Sequence, residues 1–221
     1  MRVIIVSLAC VVLLSGCVNL NEIFTTGAEI RGDVEKGFYV APDGRFRIKI
    51  PQTSAGKFTV QESYPAAGVL EVILEDGLCR RFIVAEQVDI HKGLTLDEWV
   101  DQRLIGGLER EGLKVREHKS VQTSHGPAVF YRYTSPRGAP CRSVVVRNGK
   151  EKEILMDADV GVYVFRGNGF IYQHIYALGM DPAKGDLSMP PRGPLEEQLA
   201  RFSDGVALSA TPIARPTLSA P

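Results

Sequence analysis

Apolar and polar residues alternate in short runs along the first ninety residues, with turn-forming pairs between them. Phe46, Ile48 and Ile50 alternate with Arg45, Arg47 and Lys49 behind an Asp43-Gly44 turn, so residues 38–40 and 45–50 predict a β-hairpin. Residues 58–63 and 69–74 predict two further strands, and Asp76-Gly77 is a turn leading into another over 81–89. These segments are short and half polar. The pattern is that of an antiparallel sheet with one face open to solvent.

The period changes at Thr95. Thr95-Leu96-Asp97-Glu98 has the form of a capping box, in which the threonine hydroxyl and the glutamate carboxylate satisfy backbone N–H groups of the first turn. Leu96, Trp99, Val100, Leu104 and Leu108 then fall on one helical stripe. Gly107 interrupts that stripe, where a missing side chain allows close approach to a sheet, while Gly106-Gly107 together could kink the helix. Gly112 is a natural C-terminal cap.

Strand patterns return over 115–123, 127–134 and 142–147, with a short candidate at 153–156. Residues 160–166 and 170–178 form a hairpin around Gly167-Asn168-Gly169. A second helix is expected from Gly193-Pro194, with Glu196 and Glu197 in its first turn and Leu195, Leu199, Phe202 and Val206 on one stripe. Beyond Ser209 the chain is rich in proline and small residues, and is expected to be disordered over 210–221. The order of strands, helix, strands, helix predicts an α+β domain over 37–209, an antiparallel sheet with two main helices packed against it.

That order resembles the PsbP-like fold, known from the extrinsic subunit of photosystem II and from many bacterial lipoproteins. The resemblance is carried by Tyr39-Val40-Ala41-Pro42-Asp43-Gly44-Arg45-Phe46 with Ile50-Pro51, by Leu94-Thr95-Leu96-Asp97-Glu98, by Gly126-Pro127-Ala128 and by Phe202-Ser203-Asp204. It spans roughly residues 38–208. These are turn and packing signatures, so no functional residue carries over. The resemblance implies an accessory or adaptor role.

At the N-terminus Arg2 precedes a run, 3–14, that is apolar but for Ser7. Twelve residues are too few to span a hydrocarbon core about 30 Å thick as a helix, so the run reads as a signal peptide over 1–16. Leu14-Ser15-Gly16-Cys17 is similar to the lipobox of bacterial lipoproteins, which implies acylation of Cys17 and cleavage before it. Several acyl chains make such an anchor effectively permanent, where one is marginal. The resemblance, with Val18 rather than Asp after the cysteine, implies a place on the outer membrane facing the periplasm. Residues 17–36 read as a tether.

The charge is balanced, 26 Lys and Arg against 26 Asp and Glu, and loss of 1–16 removes only Arg2. Phosphate binding needs a basic excess or stripe, so nucleic acid is excluded as the expected partner. Loss of Cys10 with the signal peptide and lipidation of Cys17 would leave Cys79 and Cys141 in an oxidising compartment, either as one disulfide or as two separate buried thiols. Closing a loop of about 60 residues would stabilise by roughly 4 kcal/mol.

Residues with catalytic potential are scattered. His91, His118, His125 and His174 have no metal-ligand spacing and read as loop or surface histidines. Asp157 and Asp159 lack the glycine and glutamate of a calcium loop and read as solvated carboxylates. No Gly-x-Ser-x-Gly or Ser-x-x-Lys motif stands out, so neither catalytic residues nor a metal or cofactor are expected. Phe170, Tyr172, His174 and Tyr176 alternate onto one sheet face, with Tyr163 and Phe165 across the hairpin. That column either packs beneath an amphipathic helix or forms a ligand or partner groove. The expected function is a membrane-anchored, non-enzymatic binding or assembly module with an envelope protein as partner. The alternatives are a small-ligand carrier or sensor using the aromatic face, and an envelope hydrolase whose groups meet only in three dimensions.

Overall fold

The computed structural model describes residues 31–52, 58–76, 79–91, 93–141, 154–180 and 195–209, with backbone alone at 137–141, 154–155 and 180. The expected signal peptide, Cys17, the strand at 142–147 and the tail at 210–221 lie outside the described residues.

Among the described residues eleven strands form two antiparallel sheets. The larger contains β4 (Thr59–Ser63), β5 (Val69–Glu75), β6 (Arg80–Val88), β7 (Val115–Thr123), β8 (Gly126–Cys141), β9 (Ile154–Gly167) and β10 (Phe170–Met180), in the order β4-β5-β6-β10-β9-β8-β7. The smaller contains β1 (Asp33–Glu35), β2 (Phe38–Val40), β3 (Phe46–Lys49) and β11 (Val206–Leu208), in the order β1-β2-β3-β11. β1 lies inside the segment read as a tether. Its backbone pairs with β2, a link that hydropathy alone does not mark because all three of its side chains are exposed.

Contrary to the open face predicted from sequence, both faces of the large sheet are covered at its centre. β5 is buried at six of its seven positions, and β6, β9 and β10 are apolar on both sides over most of their length. One face carries Ile73, Ile83, Val160, Val162, Val164, Ile171 and Ile175, which pack against Trp99, Val100, Leu104 and Leu108. The other carries Phe82, Val84, Phe130, Tyr163, Phe165, Tyr172 and Tyr176, which pack against Tyr39, Phe46 and Ile48 of the small sheet and Leu195, Leu199 and Phe202.

Thr95 starts the first helical run through the expected capping box. The Glu98 amide donates to Thr95 Oγ1 at 3.2 Å and the Thr95 amide donates to Glu98 Oε2 at 2.8 Å. The run is continuous but not uniform: α1 (Leu96–Trp99) passes through a π-helical stretch (Val100–Ile105) into α2 (Gly106–Arg110). The Gly106 amide reaches back five residues to the Asp101 carbonyl, so the glycine pair widens the helix rather than breaking it. Gly112, at φ +78°, ends it, with the Leu113 amide donating to the Leu108 carbonyl.

The last helix, α3 (Leu195–Asp204), ends before Val206, the last position of its apolar stripe. Gly205 turns the chain, and Val206 pairs with Ile48 as the first residue of β11. A buried valine at helical spacing fits either element; the free edge of β3 decides it. β8 is also longer than predicted, running on past Thr134 to Cys141 with a register shift between Ser135 and Ala139. Pro136 falls within that shift, where a residue without an N–H interrupts the ladder.

α3 seals the aromatic face. The Phe202 ring stacks on Phe82 with centroids 4.6 Å apart, and Phe82 stacks on Tyr176 at 4.7 Å. Phe202→Ala is expected to cost about 3–5 kcal/mol in urea unfolding, because it removes a buried ring and leaves a cavity.

Candidate functional site

The six residues of the aromatic column occupy the β9–β10 hairpin, whose tight turn holds Asn168 and Gly169 at φ +53° and +83°. The register pairs Tyr163 with His174 and Phe165 with Tyr172. All six share one face, but five are buried and the sixth, Phe170, is half-buried beneath the Arg45 guanidinium, 4.1 Å from its centroid. The small sheet and α3 cover this column. It is the interface between two layers and not an open groove.

Two polar clusters lie within that interface. His174 is fully buried, and its Nδ1 lies 2.8 Å from Ser203 Oγ on α3. His125 Nε2 hydrogen-bonds the Ser203 carbonyl at 2.9 Å, while its ring stacks on Phe165 at 4.7 Å and meets His174 edge-on at 5.2 Å. Burial, and then the neighbouring His125, push the His174 imidazole well below its ordinary value, so it is held neutral. A histidine beside a serine hydroxyl has the elements of a nucleophile and base. Ser203 is 1% exposed and His174 0%, however, so the pair is buried between α3 and the sheet. The pair holds α3 to the sheet. His125 and Ser203 were legible in sequence only as a loop histidine and part of a helix motif; their meeting across 78 residues depends on the fold.

The second cluster joins the two sheets. Arg45, just after the Asp43-Gly44 turn, pairs with Asp43 and reaches Glu86 Oε1 on β6 at 3.0 Å. Burial raises the Glu86 carboxyl and Arg45 opposes this rise. Tyr172, opposite Glu86 in the register, has its hydroxyl raised by burial and by that carboxylate. Asp159 is likewise not the solvated carboxylate its sequence setting predicts: it is buried on β9 and held by the Arg132 guanidinium. Among the described residues no group of three or more His, Cys, Asp or Glu is placed to hold a metal ion.

Glu62 on β4 is a third polar centre that the sequence reading missed. Its Oε1 accepts from the Gly32 amide at 2.6 Å and the Tyr39 hydroxyl at 2.8 Å; its Oε2 accepts from the Arg31 amide at 3.0 Å and the Tyr64 hydroxyl at 2.6 Å. Burial raises its carboxyl, but the four hydrogen bonds outweigh burial and hold it below its ordinary value. The start of the described chain is thereby fixed to the edge strand. Gly32 is required there, since a Cβ would lie 2.5 Å from the Val40 carbonyl oxygen.

No family model and no curated protein matches the chain. Several solved structures match it, among them the following two. The solution structure of the cyanobacterial PsbP protein CyanoP from Synechocystis sp. PCC 6803 matches with a TM-score of 0.45 at 8% identity, covering 83% of this chain and 96% of that one. A crystal structure from Bacteroides thetaiotaomicron matches with a TM-score of 0.40 at 8% identity, covering 80% of this chain but only 49% of that one. The described fold is antiparallel sheet with few helices, and a PsbP-like protein is among its structural neighbours.

Cys79, at φ +66° before β6, is disulfide-bonded. Cys141 ends β8 opposite Ile154, and its side chain lies outside the described residues.

The carboxylates give two contrasting predictions. Glu71 on β5 is buried, and burial alone raises it from 4.5 to about 7. A raised carboxyl binds its proton more tightly in the folded state, so this site's contribution falls as pH rises from about 4.5 through 7. Glu71→Gln is expected to abolish that loss and leave the variant about 3 kcal/mol more stable than the parent at pH 8.5, by urea unfolding across the pH range. Glu62 behaves oppositely: its stabilisation is complete above the ordinary carboxylate range and fades as pH falls through its lowered value. Glu62→Ala is expected to cost about 3 kcal/mol and to speed amide exchange selectively at residues 31–36, because two amides and two hydroxyls lose their acceptor.

Proposed function

We propose that this chain is a lipid-anchored, non-enzymatic binding or assembly module of the bacterial envelope. Cys17 is its acylated residue, the outer membrane its anchorage, and an envelope protein its partner. The observation that carries the reading is the disulfide at Cys79, which fits an oxidising, exported compartment rather than a reducing cytosol. Cys141 is the partner we assign to it. The lipobox-like Leu14-Ser15-Gly16-Cys17 and the fixing of the chain at Arg31 and Gly32 support the same reading. Residues 18–30 would then link the lipid to a firmly held point on the domain. No helix among the described residues is long and apolar enough to cross a membrane, so attachment in this reading rests on the acyl chains.

Expression of the full chain in a bacterial host and mass analysis of its N-terminal peptide are expected to show a processed, acylated Cys17. Cys17→Ala is expected to lose the modification and leave the membrane fraction. In-cell cross-linking is expected to capture a discrete envelope protein with the parent chain and to lose it with Cys17→Ala. An unmodified parent chain would sink the anchor. An acylated chain that captures nothing would sink the adaptor role.

A further inference from the structure

We propose that one end of the large sheet, marked by Tyr64, Val88 and Ile90, is a membrane-contact surface that rests on the bilayer to which Cys17 is attached. The proposal builds on the anchoring reading above. Scattered exposed apolar side chains are ordinary on protein surfaces. Here their placement relative to the chain's origin is the informative feature.

Among the described residues the exposed large apolar side chains are Val34, Tyr64, Val88 and Ile90, at 51%, 40%, 46% and 76%. Tyr64 directly follows β4, Val88 ends β6, and Ile90 is two residues on. The register Ser63 with Glu71 and Val69 with Gln87 brings these strand ends to the same end of the sheet. Gly68, just before β5, lies beside Val88: a Cβ there would be 3.6 Å from Val88 Cγ2.

The N-terminal segment joins the domain at this end. The Arg31 and Gly32 amides are held by Glu62, the Arg31 guanidinium lies 4.8 Å from the centroid of the Tyr64 ring, and Val34 follows two residues past Gly32. A tyrosine capped by an arginine suits the headgroup level, where an apolar body and a polar tip are both accommodated.

Tether length favours the same end. Residues 18–30 separate Cys17 from Arg31. Even fully extended, a segment of that length reaches only about 45 Å. The opposite end of the sheet lies seven residues along β6, from Val88 to Arg81, or about 23 Å farther from the attachment point. The mature chain is nearly neutral, so contact would come from apolar side chains rather than attraction to anionic lipid.

The test uses the full, processed chain reconstituted into vesicles of phosphatidylethanolamine and phosphatidylglycerol. One chain carries p-benzoylphenylalanine in place of Ile90, and another in place of Glu111, which is exposed just after α2 at the far end. Mass analysis of the Cys17 peptide reports the anchor, and photo-adducts with acyl chains report the face. Several-fold more lipid adduct from position 90 than from 111 is expected. An acylated chain that labels equally at both positions, or at neither, overturns the contact surface and leaves the anchor standing. An unacylated chain that still labels preferentially at 90 removes the anchor and keeps the surface, and one that labels at neither position removes both.

Discussion

Burial of the central strands on both sides is the constraint on which the rest of the structure depends. β5, β6, β9 and β10 present apolar side chains to both faces, so neither the helical run at 96–110 nor the small sheet with α3 is optional. Most polar groups in these strands are cut off from water and find a partner within the fold, while Glu71 has its carboxyl raised by burial alone. Glu86 finds Arg45, Asp159 finds Arg132, Arg81 finds Glu75 at 3.1 Å, and His174 finds Ser203. Each of these pairs links separate strands or separate layers, so each also fixes how the parts are arranged.

The small sheet ties both ends of the described chain to that core. β1 and β2 come from the N-terminal side and β11 from the C-terminal side, and β3 joins them. Past β11, the Ser209 amide donates to the Arg45 carbonyl at 2.7 Å, and the Asn168 side chain donates to the Ser209 carbonyl at 2.9 Å. The β9–β10 turn, the Asp43-Gly44 turn and the last described residue therefore meet at one place. Arg45 is common to this corner and to the buried Glu86 pair, so the corner and the interior are coupled through one side chain.

Local chemistry was legible where it was self-contained. The capping box at Thr95, the stop at Gly112 and the hairpin at Gly167-Asn168-Gly169 each depend on neighbouring residues, and each appears where the sequence places it. The aromatic column was legible as a face but not as a covered face, because periodicity records which side a residue points to and not what lies on that side. Val206 illustrates the limit: its spacing continues the stripe of α3, yet the unpaired edge of β3 takes it as a strand. Glu62, His125 and Ser203 were illegible for a related reason. Apart from Tyr64 beside Glu62, the partners named for them lie 23 to 78 residues away, and little in their own neighbourhoods marks them.

The large sheet is covered on both faces at its centre, so among the described residues its rims are more open. One rim strand, β7, is exposed or half-buried at every position and long enough to invite pairing with another chain. Charge defends it: Lys119 bridges Glu117 at 2.8 Å and Glu196 of α3 at 2.9 Å, and such side chains along an edge discourage a further strand. The opposite rim, β4, is occupied near one end by the chain's own start through Glu62. In the proposed reading, recognition falls to the ends of the strands, where turns vary without disturbing the core. One end holds the attachment point and the exposed Val88 and Ile90; the other holds Cys79 and the start of β6. In the proposed reading lipid occupies the first, so the second faces away from the membrane and is the end left for a protein partner.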